Sequence, residues 1–117
     1  MVRQWRIDED GSGLCTVVET EVYLRSAERV MDREERDAVV DYLAANPLAG
    51  DLIPGAGGIR KVRVPLAGRG KRGGGRVLTV FVKGRAVYLL LAYAKNEQAN
   101  PTPEQARLLR HMVETLF

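Results

Sequence analysis

Lys61 and Arg63 stand two positions apart in residues 59–66, an alternating segment whose other parity carries Val62, Val64 and Leu66. In an extended strand this spacing projects both cations from one face, roughly 6.7 Å apart at about 3.3–3.4 Å per residue. Arg76 opens the next predicted strand, and Tyr93 and Lys95 share a parity at the end of the one after it. A glycine-rich loop, residues 68–75, adds Arg69, Lys71 and Arg72 on a backbone that can approach a chain of phosphates closely. Arg60 is a further cation at the start of the first of these strands. Cations for phosphates, with an aromatic ring for a base, are the usual ingredients of single-stranded RNA recognition. An edge strand that carries Lys and Arg against self-association shares part of this pattern.

The charge distribution favours binding. Residues 1–51 hold six basic and twelve acidic side chains, and residues 97–117 hold two basic and three acidic ones. Residues 52–96 hold ten basic side chains and no acid, although the whole chain carries only +3. Such a segment predicts a polarised surface for a polyanionic partner, with the ten cations converging on one concave pocket.

Other chemistries find no support. Gly68-Arg69-Gly70-Lys71-Arg72-Gly73 has the spacing of a dinucleotide-binding turn, but it lies between strands and no acid follows before Glu97. Gly70-Lys71-Arg72 is no phosphate-binding P-loop, because Arg replaces the hydroxyl residue and Pro65 occupies the earlier glycine position. His111, the one histidine, falls on the polar side of the last predicted helix. Cys15 is the one cysteine, which excludes an internal disulfide and a cysteine-based zinc site. No metal ligand set and no cofactor are expected.

The elements that position these residues follow from periodicity and caps. Residues 14–22 read as a strand and 23–31 as a short helical segment. Asp32, with an acid three positions on, starts a helix that Asn46-Pro47 ends. Strands are predicted at 59–66, 76–82 and 86–94, the last apolar on both parities and hence central. Thr102-Pro103-Glu104-Gln105 is a capping box ahead of an apolar face formed by Leu108, Leu109, Met112, Val113 and Leu116. The order is strand, helices, three antiparallel strands, helix. It predicts an α+β fold in which N-terminal helices and a C-terminal helix pack on a curved antiparallel sheet.

The 117 residues suit one domain, 1–117, in which 1–13 form an N-terminal extension and first turn. Residues 1–6 show no apolar signal region, and no apolar run approaches the roughly 20 residues of a membrane helix. A cytoplasmic protein without membrane contact is expected.

Several ordered stretches then carry a family resemblance: Asn46-Pro47, Gly50-Asp51-Leu52-Ile53-Pro54-Gly55, Gly57-Gly58-Ile59-Arg60-Lys61-Val62-Arg63, the cationic glycine run from Gly68 to Gly74, Arg76-Val77, and residues 87–97. With Thr102-Pro103 ahead of a helix, they resemble the RelE toxins of bacterial type II toxin–antitoxin systems. Within the RelE/ParE superfamily the chain looks most like the HigB branch. The resemblance covers residues 16–117 and is densest over 46–97.

The resemblance implies the compact RelE fold and a ribosome-dependent endoribonuclease, or mRNA interferase, that inhibits translation. It implies metal-independent attack of the ribose 2′-hydroxyl on the adjacent phosphate. The implied partners are mRNA, ribosomal RNA and a small cognate antitoxin of helix-turn-helix type. Carried over by position, Lys61, Arg63 and Arg76 match the family's cationic set, with Tyr93 and Lys95 close to its last-strand residues. Arg63 and Arg76 are then expected on the phosphate, with Lys61, Lys71 or Lys95 exchanging the proton. Tyr93 is expected to stack on or orient a base, and Arg60, Arg69, Lys71 and Arg72 to bind RNA. Two departures stand out: Thr79-Val80-Phe81-Val82 replaces a tyrosine run of HigB-type relatives, and Asn96 replaces an arginine of many RelE enzymes. The alternatives are a ParE-like toxin that inhibits DNA gyrase without catalysis, and a catalytically decayed RNA-binding module.

Overall fold

A computed structural model describes residues 2–3, 15–66 and 71–117. Strands β1 (Val2–Arg3) and β2 (Val17–Glu19) come first, then helices α1 (Glu21–Val30) and α2 (Arg33–Ala45). Strands β3 (Asp51–Leu52), β4 (Arg60–Leu66), β5 (Lys71–Val82) and β6 (Ala86–Ala94) follow, and helix α3 (Pro103–Leu116) comes last.

Each helix starts where a side chain satisfies first-turn N–H groups that have no partner within the helix. Thr20 Oγ1 accepts from the Tyr23 N–H at 3.1 Å and donates to the Leu89 carbonyl of β6 at 2.7 Å, so this cap also docks α1 on the sheet. Asp32 and Glu35 form a reciprocal capping box on α2, and Thr102 and Gln105 form one on α3 beside Pro103. α2 ends at Asn46, directly before Pro47.

The six strands form one sheet in the order β1-β2-β6-β5-β4-β3. β4, β5 and β6 are antiparallel neighbours, whereas β2 runs parallel to β6, pairing Val17 with Val87 and Glu19 with Leu89. The sheet is therefore mixed, a correction to the antiparallel sheet expected. No turn near either strand could announce a parallel pairing across most of the chain.

Both faces of the sheet are covered. On one, Tyr23 and Ala27 of α1 and Val40 and Leu43 of α2 pack with Val62, Val64, Val77 and Leu89. On the other, Leu109 and Val113 of α3 pack with Leu78, Val80, Leu90 and Leu91. A bulge at Leu78/Thr79 leaves Leu90 without a cross-strand partner, and Leu90 and Leu91 both join the α3 side. Fully burying a leucine such as Leu78 contributes roughly 1.5–3 kcal/mol. Beyond Leu89 β2 has ended, and Ser26 Oγ of α1 accepts from the Ala92 N–H at 2.9 Å. That contact covers a stretch of strand edge that would otherwise invite another chain.

Three boundaries differ from expectation. β2 stops at Glu19 because Thr20 caps a helix that already includes Val22. β5 begins at Lys71, so residues 71–75 are strand and not loop. Gly75 fits closely there, since a Cβ would stand 3.0 Å from the Leu66 and Val64 side chains. β3 was not foreseen. It depends on Gly50, whose φ of 86° and whose position against the Lys61 carbonyl no side chain tolerates. Among the described residues no helix is long and apolar enough to cross a membrane.

Candidate active site

The β4–β5–β6 meander sets three of the candidates in one row. Arg63 lies directly opposite Arg76, and Arg76 directly opposite Tyr93. Opposite residues of antiparallel strands project to the same face with Cβ atoms about 4.5–5.5 Å apart. Lys61 is two positions back along β4, beside the Leu78–Leu91 pair. Lys95 is two positions beyond Tyr93, its N–H donating to the Gly74 carbonyl at 2.9 Å. The period of two along a strand places Lys61 on the row's face, and Lys95 follows β6 as the first residue of the turn beside it.

Exposure grades across this face. Arg76 is 7% exposed and Tyr93 4%, whereas Lys61 is half-buried and Arg63 and Lys95 reach into solvent. Arg76 Nη1 donates to the Gly75 carbonyl at 2.9 Å, which anchors the guanidinium to its own strand. The Tyr93 hydroxyl donates to the Ala99 carbonyl at 3.3 Å. Burial pushes the phenol above its ordinary pKa while the Arg76 charge opposes the rise, so it keeps its proton at neutral pH. The ring packs among Leu78, Leu90 and Leu91 and offers no open face to a base. A ring so buried is not placed to stack on a base, and Tyr93 stands directly opposite Arg76.

Sequence reasoning missed Asn100. The segment after β6 folds back so that Lys61 Nζ donates to Asn100 Oδ1 at 3.5 Å. Its only signal was a polar run between β6 and the Thr102 cap. Lys61 and Asn100 also edge a cavity of about 760 Å³ between residues 51–57 and α3, walled by Ile53, Ile59, Leu109 and Val113.

The family model for the RelE toxin of the RelE/RelB toxin–antitoxin system matches residues 16–117. The chain belongs to the RelE toxin family. It is therefore the toxin of a toxin–antitoxin pair, and its partner is a cognate antitoxin.

In this RelE toxin the remaining candidates separate by position. Arg60 has the opposite parity to Lys61 and Arg63, and its Nη1 donates to the Gly50 carbonyl at 3.0 Å, bracing the β3–β4 hairpin. Arg69 lies outside the described residues. Lys71 and Arg72 begin β5, but their side chains lie outside the description. Lys83 and Arg85 occupy the β5–β6 turn, roughly 23 Å along the strand from Arg76 at about 3.3 Å per residue. The ten cations therefore do not converge as expected; a long hairpin separates its tip from its base.

His111 is exposed on α3. The Cys15 thiol points at the Leu43 carbonyl at 3.9 Å, and burial pushes its pKa up, which disfavours the nucleophilic thiolate. Among the described residues no three His, Cys, Asp or Glu side chains group as a metal site.

Proposed function

We propose that this RelE toxin is a ribosome-dependent endoribonuclease that cuts mRNA at the Lys61–Arg63–Arg76–Lys95 face, without a metal ion. The observation that carries the reading is the direct opposition of Arg63 and Arg76 across β4 and β5. Like charges set opposite one another destabilise a sheet, and a phosphodiester between them turns that repulsion into attraction. Residues 52–96 hold ten cations and no acid, which biases the field of this face toward the cationic although Asp51 stands opposite Lys61 at its edge.

The reaction is attack of the ribose 2′-oxygen on the adjacent phosphorus with loss of the 5′-oxygen of the next nucleotide. The products are a 2′,3′-cyclic phosphate and a 5′-hydroxyl. Negative charge grows on the phosphoryl oxygens in the pentavalent state, and preorganised guanidinium donors stabilise it more than they stabilise the ground state. Arg76, buried and anchored, supplies the preorganised donor; Arg63, exposed, supplies the one that closes on substrate. The 2′-hydroxyl must lose a proton and the leaving oxygen must gain one. Arginine stays charged at any ordinary pH, and the Tyr93 proton is engaged by Ala99. Proton exchange is therefore assigned to Lys61 and Lys95.

The test is cleavage of mRNA on programmed ribosomes by the purified toxin. Arg76→Ala is expected to slow cleavage by about 10²-fold or more, as loss of one transition-state donor does elsewhere. No cleavage, or cleavage indifferent to Arg76→Ala, overturns the reading.

A further inference from the structure

We infer that Asn100 is a positioning residue for Lys61, held in place by a hydrogen-bonded chain that starts at the cap of α3. The inference rests on the assignment of Lys61 to the reactive face. Thr102 Oγ1 accepts from the Gln105 N–H at 3.1 Å, and Gln105 Oε1 accepts from the Thr102 N–H at 2.9 Å. Gln105 Oε1 also accepts from Gln98 Nε2 at 2.8 Å, and the same Gln98 amide donates to the Asn100 carbonyl at 3.0 Å. Asn100 Oδ1 in turn accepts from Lys61 Nζ at 3.5 Å. The Tyr93 hydroxyl, on the Ala99 carbonyl, ties the same segment to β6 from below.

The chain of contacts solves a problem particular to lysine. Its ammonium sits on a four-carbon stem with several rotamers, so a lysine used in chemistry must be oriented by something else. Neighbouring Arg63 and Arg76 repel it and cannot orient it. Asp51 of β3 stands directly opposite Lys61, but the side-chain hydrogen bond of Nζ goes to Asn100, and a carboxylate in that place would cancel charge that this face needs. A neutral amide oxygen orients it without that loss, and an ammonium with three donors keeps two for substrate. Gln98 matters because Asn100 is itself exposed and can hold Lys61 only while its own backbone is held.

The full-length toxin tests this by single-turnover mRNA cleavage on ribosomes and by NMR of 13Cε-labelled lysine. Asn100→Ala should lower the cleavage rate constant about tenfold, with ribosome affinity within about twofold of wild type. Asn100→Asp, which keeps an oxygen acceptor but adds a carboxylate that cancels charge on this face, should recover little of the rate. In a Lys61→Ala background, Asn100→Ala should cost less than about twofold, because its effect passes through Lys61. By NMR, both Asn100→Ala and Gln98→Ala should sharpen the Lys61 signal by releasing the side chain. If Asn100→Ala slows the Lys61→Ala protein as much as it slows wild type, the role is structural and the inference falls. It falls also if the Lys61 signal ignores both substitutions. If wild type does not cleave, the functional reading fails on its own, and the NMR comparison still decides whether Asn100 and Gln98 hold Lys61.

Discussion

Arg76 is buried where its cross-strand partner Arg63 is exposed, although the two stand directly opposite one another on β5 and β4. The pair combines an anchored donor with a mobile one. Arg76→Lys keeps the charge but lacks the planar fork that reaches both the Gly75 carbonyl and a phosphate. It is expected to retain less than about a tenth of wild-type cleavage, read on programmed ribosomes. Arg63→Lys, at an exposed position, should retain more.

Gly50 couples fold to site. Its φ is 86°, and a Cβ there would meet the Lys61 carbonyl oxygen at 2.5 Å. Gly50→Ala is expected to lower unfolding stability by about 2 kcal/mol or more, through left-handed backbone strain plus displacement of β4. Urea denaturation measures the loss, and cleavage should fall with it because Lys61 moves.

The two capping boxes separate stability from chemistry. Asp32→Ala removes an acceptor from the start of α2 and should cost about 1 kcal/mol in a denaturation curve, with cleavage unchanged. Thr102→Ala should cost a similar amount and also slow cleavage, because Gln105 holds Gln98 and Asn100 from that cap.

Tyr93 sets a pH dependence of known sign. Its phenol is raised above the ordinary value by burial, with Arg76 opposing. Above a pH of about 10 the unfolded chain releases this proton first, so the folded state binds more protons and stability falls with rising pH. Below that pH the contribution is fully present. Unfolding free energies measured across pH 9 to 11 should therefore decline less steeply for Tyr93→Phe than for wild type.

Much of this architecture was legible because its signals are local. The Asp32 and Thr102 boxes mark the starts of α2 and α3 with side chains three positions from their targets. β6 announced itself through apolar residues on both parities. Long-range features were silent: β2 beside β6, and the bulge that leaves Leu90 without a cross-strand partner.

The candidate site divides in the same way. Parity alone put Lys61 and Arg63 on one face, whereas Arg60, expected among the RNA-binding cations, has the other parity and reaches the Gly50 carbonyl. Register decided the rest, since Arg76 meets both Arg63 and Tyr93 only through the particular pairing of β5. Burial of the Tyr93 ring could not be read, because the segment that takes its hydroxyl proton, at Ala99, is polar and carries no periodicity. Asn100 was hidden for the same reason.

The parallel join of Val17 to Val87 has a consequence for synthesis. The hairpins that carry Lys61 through Lys95 close over short connections, whereas seating β2 against β6 closes a loop spanning most of the chain, a slower step. A nascent chain cannot display the arginine–tyrosine row before β6 has emerged. On the proposed reading, cleavage is thus deferred until three strands have paired, and a partner that covers this face meets a folded surface, never a linear peptide.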